Sequence, residues 1–134
     1  VLGAGTSLAG GFVITKVVGK TVTICCGKKT ICLFIQRHHL IPKTRFKNHD
    51  LIKAAGVDIN KDARNLMDLA GHGGDHTDAY YDAVQALLDA GWEQAQQGKM
   101  TPAEAYEGVC KILRQGITDG VVNPYKSKEV FPVP

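Results

Sequence analysis

All five histidines of this 134-residue chain lie between positions 38 and 76, and their spacing narrows the possible folds more than any other feature. An adjacent pair, His38-His39, comes first; Asn65 follows in the run Ala63-Arg64-Asn65-Leu66-Met67; then His72 and His76 stand four residues apart before an amphipathic segment. Imidazole is the commonest metal ligand and titrates near neutral pH, so such a cluster can hold an ion and also move a proton. On an extended segment His38 and His39 point to opposite sides, which gives them different parts, one as ligand and one as base. On a helix, His72 and His76 share a face with Cβ atoms about 5–6 Å apart, near enough to share an ion at about 2.0–2.1 Å per Zn–N bond.

Gly73-Gly74-Asp75 fills the interval between those two histidines, so there is no HExxH and no glutamate base of a metalloprotease. Glycine costs roughly 1 kcal/mol relative to alanine inside a helix. That moves the expected helix start to near Asp75 and leaves His72 on the incoming loop, still within reach of an ion held by His76. A single histidine is more often a surface or core residue, and His49, outside the pattern, is read that way, with a reserve role as ligand.

Charge is divided unevenly. Residues 1–49 hold eight Lys or Arg and no acid, a charge of +8; residues 50–134 hold eight bases and thirteen acids, a charge of −5. A polyanion partner is the expectation, because each phosphate neutralised by a cation releases condensed counterions; a solvated basic face is the alternative. Cys25, Cys26, Cys32 and Cys110 form no CxxC pair, so neither structural zinc nor a disulfide framework is signalled. The longest uncharged run, Val1 to Thr15, is shorter than the roughly 20 residues that span a bilayer, and it lacks the basic start of a signal peptide. A first residue other than methionine suggests a segment cut from a longer polypeptide.

Along the chain, residues 1–19 are glycine-rich without the Gly-Lys-Ser/Thr of a phosphate loop, and read as a flexible leader. Thr21 to Cys26 and Thr30 to Ile35 are β-branched and apolar runs about Gly27-Lys28-Lys29, which predicts a hairpin; a buried helix over 11–18 is the competing element. Asn48 is the expected cap of a short helix, Asp50 to Ala55, ended by Gly56. A second short strand is expected about Leu66 to Leu69. Tyr80, Val84, Leu87, Leu88, Trp92 and Ala95 recur at helical spacing up to Gly98, and Thr101-Pro102-Ala103-Glu104 is a capping box opening a second helix with Tyr106, Val109, Cys110, Leu113 and Ile117 on its buried face. These aromatics are read as core rather than as base-stacking platforms. The end, from Asn123 to Pro134, has no period and reads as a tail or strap.

His38-His39-Leu40-Ile41-Pro42, Asn65 and His72-Gly73-Gly74-Asp75-His76-Thr77-Asp78-Ala79-Tyr80 together resemble the HNH, or ββα-metal, nucleases. Within them the pattern is similar to the AHH branch, common as toxin domains at the C-terminus of bacterial polymorphic toxins. The resemblance runs from residue 37 to about residue 85, and departs from the branch at Arg37, where alanine is usual. It implies one α+β domain over 1–134: a leader and hairpin over 1–36, a ββα-metal core over 37–90, and a C-terminal helix and tail over 91–134. His38, His72 and His76 are then the ligands of one divalent ion, zinc or magnesium, with manganese or nickel as further candidates. His39 is the general base, Asn65 orients it, and Arg37, Lys43, Arg45 and Lys47 contact nucleic acid. The activity implied is DNA phosphodiester hydrolysis. The same resemblance implies an upstream carrier polypeptide, delivery by a bacterial secretion system, action in the target-cell cytoplasm and an acidic immunity protein. A ribonuclease of this fold and a non-catalytic metal-containing binding module are the alternatives.

Overall fold

The structure, a computed structural model, describes the backbone of residues 6–7, 13–18, 21–26, 29–70, 76–120, 124 and 131–132, and the side chains of 37–70, 76–120 and 124. Its class is α+β. Among the described residues, six strands follow one another in chain order across one antiparallel sheet: β1 (Thr6–Ser7), β2 (Val13–Val18), β3 (Thr21–Cys26), β4 (Lys29–His39), β5 (Leu66–Ala70) and β6 (Phe131–Pro132). The hairpin strands expected on either side of residues 27–28 are β3 and β4, paired from Thr21 with Phe34 to Cys26 with Lys29. Two expectations for the preceding stretch are corrected. Val13–Val18 is a strand registered against β3, so neither the helix over 11–18 nor a leader without structure holds there. The run Val-Ile-Thr-Lys-Val-Val is β-branched at five of its six positions, and such side chains suit a pleated surface better than a helix.

β4 is eleven residues long, and its two halves have different partners. The first half pairs with β3; the second, Ile35 to His39, pairs with β5, so that His38 lies opposite Met67 and His39 opposite Leu66. The histidine pair therefore stands at the end of a strand anchored on both sides. Of the expected tail or strap, the described residues are tied to the rest of the fold: Phe131 and Pro132 pair with Ala70 and Leu69, and the Pro124 carbonyl accepts a bond from Thr77 N at 3.1 Å.

The described residues also form four α-helices: α1 (Lys43–Phe46), α2 (Asp50–Ala55), α3 (Asp78–Gln96) and α4 (Pro102–Thr118). Both elements of the Thr101/Glu104 capping box are present. The cap of α2 is His49 instead of Asn48: its Nδ1 accepts from Leu51 N at 3.1 Å, and its Nε2 donates to Asp89 of α3 at 2.8 Å. His49 thus has a structural task, which removes it as a reserve ligand. Gly56 ends α2 at φ 68°, a left-handed conformation that a side chain would strain. The expected start of α3 near Asp75 is also corrected: the helix begins at Asp78 and its cap is Thr77, whose hydroxyl accepts from Tyr80 N and so satisfies one of the backbone donors left open at a helix start.

About half of the buried core comes from α3 and α4, and the rest from Leu40, Ile41, Phe46, Leu51, Ile52, Ile59, Met67 and Leu69. The helices lie close where α3 has no side chain: a Cβ on Gly91 would come within 3.0 Å of Leu51 and 3.5 Å of Ala105. Tyr80 joins the first turn of α3 to the histidine pair, its hydroxyl donating to the Leu40 carbonyl and lying 3.3 Å from His38 Nε2. Among the described residues no helix is long and apolar enough to cross a membrane.

Candidate active site

His38 and His39 do point apart, as strand geometry requires. His38 is 1% exposed, and its Nε2 is 3.3 Å from the Tyr80 hydroxyl. That hydroxyl donates to the Leu40 carbonyl, so the imidazole is the donor of the His38–Tyr80 pair. His39 faces the other way, half-buried, into a cavity of about 460 Å³ that Arg37, Lys43, Arg45, His76 and Tyr81 also line. Its Nε2 lies 3.0 Å from the Asn60 carbonyl oxygen. A carbonyl can only accept, so Nε2 carries the hydrogen and, in the neutral ring, Nδ1 carries the lone pair. The fold thereby fixes the tautomer of the one histidine of the pair that faces the cavity.

His76, expected in the first turn of α3, sits two residues ahead of that helix and not on it. It reaches the pair by another route. Its ring is tilted at 5.4 Å from that of His38 and stacks on Tyr80 at 5.6 Å, and its Nδ1 is 3.5 Å from the Tyr81 hydroxyl. His72 lies outside the described residues. Two imidazoles at this separation can both reach one ion at about 2.0–2.1 Å, and nitrogen donors suit zinc, nickel and related ions. Among the described residues no set of three or more His, Cys, Asp or Glu is placed to hold a metal, so the donor set on view is His38 with His76.

Asn65 is fully buried and bonds to backbone on both sides of the cavity wall, with no bond to His39 itself. Its Oδ1 accepts from Ile41 N at 2.7 Å, while its Nδ2 donates to Ile41 O at 3.1 Å and Ile59 O at 2.7 Å. Ile59 precedes the Asn60 whose carbonyl holds His39, and Ile41 is two residues beyond His39. One amide side chain therefore clamps the segments that carry the imidazole and its partner. The turn that delivers Asn65, Ala63–Asn65, is capped by Asp62. The Arg64 guanidinium returns to Asp62 at 2.7 and 3.0 Å, and this bond holds the carboxyl below its ordinary range. Behind Asn65, burial pushes the Cys110 thiol up to about 11, which leaves it a packed, protonated group.

Of the expected cations, Arg37, Lys43 and Arg45 line the cavity with His39, whereas Lys47 is exposed elsewhere. Arg37 is also bound to Asp68, its cross-strand neighbour, at 3.3 Å. Sequence reasoning missed Asn60, which acts only through its backbone, and Tyr81, whose ring forms part of the cavity. The available signal was Tyr80-Tyr81, four and five residues after His76, but the helical spacing picks out only Tyr80, which reads as core.

These elements define a class first: a strand-end histidine pair, a buried asparagine clamp and a third histidine ahead of a helix, beside a cationic cavity. A family model described as a nuclease family of the HNH/ENDO VII superfamily with conserved AHH matches residues 34–116. That is more than half of the chain, and the chain belongs to this AHH nuclease family. No curated protein and no solved structure matches it.

Proposed function

We propose that this domain is a metal-dependent endonuclease that hydrolyses DNA phosphodiester bonds, built on a ββα-metal motif formed by the end of β4, β5 and the start of α3. The observation that carries the reading is His39 in the cationic cavity, held by the Asn60 carbonyl with its Nδ1 lone pair available and the His38–His76 pair alongside. Nδ1 of His39 takes a proton from the attacking water, a step that typically contributes 10²–10⁴-fold. The carbonyl at Nε2 stabilises the imidazolium that results and keeps it oriented. Asn65 acts through the backbone to maintain that geometry. His38 and His76, with His72 as the family pattern implies, would hold one divalent ion, which when bound would supply Lewis-acid stabilisation of charge on the phosphate and leaving oxygen. Arg37, Lys43 and Arg45 bind phosphate, and Lys47 lies further out along the same basic segment.

The family's toxin branch and the +8 segment extend the proposal: the domain is delivered from a carrier polypeptide into a target cell and is neutralised by an acidic immunity protein. Plasmid nicking is the test, run with and without chelator and beside a structured RNA. Cleavage of DNA that stops with EDTA and returns with a divalent ion supports the reading. Cleavage of RNA alone moves the substrate to RNA, and cleavage unaffected by EDTA removes the metal from the mechanism.

A further inference from the structure

Among the cations of the cavity, Arg45 is set apart by what holds it. Arg37 is engaged by Asp68; Arg45 has no carboxylate partner among the described residues. Its guanidinium carbon lies 4.4 Å above the centroid of the Tyr81 ring. Tyr81 is in turn fixed from two sides, edge-on to His76 at 5.5 Å and tilted against the buried Phe46 at 6.4 Å. A guanidinium stacked by its face keeps its in-plane N–H donors outward, where they match the oxygens of a phosphate. An exposed arginine on a four-residue helix otherwise samples many rotamers, and ordering it on binding costs affinity.

Resting on the nuclease reading, we propose that Arg45 is a phosphodiester clamp of the active site and that Tyr81 is its positioning residue, which holds the guanidinium over the same cavity that His39 faces. The ligand class is a backbone phosphate of the bound nucleic acid. Tyr81 also joins this clamp to His76, so that one ring sets the phosphate contact and one side of the imidazole pair in a common frame.

The test measures binding of a short DNA duplex to the full chain carrying His39→Ala, as a function of salt, with folding checked by thermal melting. Arg45→Ala is expected to lower the slope of log K against log salt by about one, the value for one phosphate contact. Tyr81→Leu keeps the charge but loses the stack, so affinity falls roughly two- to five-fold, the range for an exposed cation–π contact. Tyr81→Phe restores the ring and should recover that loss. If Arg45→Ala leaves the slope unchanged, or Tyr81→Leu binds as its parent does while the unmutated chain cleaves DNA, this inference falls and the nuclease reading stands. If the unmutated chain cleaves neither DNA nor RNA, the nuclease reading fails and takes the clamp with it.

Discussion

His39 has two nitrogens with separate tasks, and the separation is the basis of a direct prediction. His39→Ala removes the Nδ1 lone pair but neither imidazole of the His38–His76 pair, so cleavage should fall by about 10²–10⁴-fold while zinc binding by calorimetry stays near the parent value. A variant that loses metal affinity as well as cleavage would make His39 a ligand. Asn65 calls for the opposite signature. It makes three buried bonds to backbone groups of Ile41 and Ile59, and Asn65→Ala leaves those groups without partners, at a cost on the order of 3 kcal/mol. Urea unfolding should show the loss directly. A stability change below about 1 kcal/mol would mean that water replaces the amide, and that the clamp is not what holds the His39 wall.

Elements that depend on neighbours in sequence were legible; those that depend on distant partners were not. Thr101-Pro102-Ala103-Glu104 announces α4 because both bonds of its capping box lie within one turn, Thr101 Oγ1 to Glu104 N and Glu104 Oε1 to Thr101 N. Thr101→Ala should cost about 1 kcal/mol, seen as a melting shift of roughly 2–6 °C; no shift would mean that tertiary packing alone sets the helix end. The cap of α2 was misassigned because local preference favours Asn48 over His49, whereas His49 is held in place by a bond to Asp89, forty residues away. Val13–Val18 is a short apolar run without period, which strand and helix share until β3 pairs with it. β6 is beyond sequence patterning, since its two residues are a strand only by their register with Leu69 and Ala70. In the site, the histidine order and Asn65 were readable, but Asn60 contributes a carbonyl that every residue has. Tyr81 joins Arg45 only after α3 has folded against α1.

Across the whole molecule, charge governs both stability and association. The carboxyls of Asp62 and Asp89 are held low, the first by its bond from Arg64 and the second by its bond from His49. A depressed carboxyl adds stability above its unfolded value, about 3.9, and loses it as pH falls through the folded value. Asp62→Asn should therefore destabilise at pH 7 and converge with the parent in chemical unfolding once pH falls below the depressed folded value of Asp62. The effect at Asp89 is smaller, because its side chain is 61% exposed and water screens it. The same long-range asymmetry bears on the partner. Residues 1–49 carry +8, and Arg37, Lys43 and Arg45 of that segment line the cavity of His39. The proposed acidic neutralising protein would gain encounter rates of roughly 10⁸–10⁹ M⁻¹s⁻¹ at low salt, and on the toxin reading speed would protect the producing cell. Expression of the domain alone in a bacterial cytoplasm is expected to be toxic, toxicity should vanish with His39→Ala, and a small acidic protein encoded beside it should relieve it with a strongly salt-dependent on-rate. A folded, metal-loaded domain that is harmless there without any partner would end the toxin reading, and a salt-independent on-rate would place the partner away from the basic face.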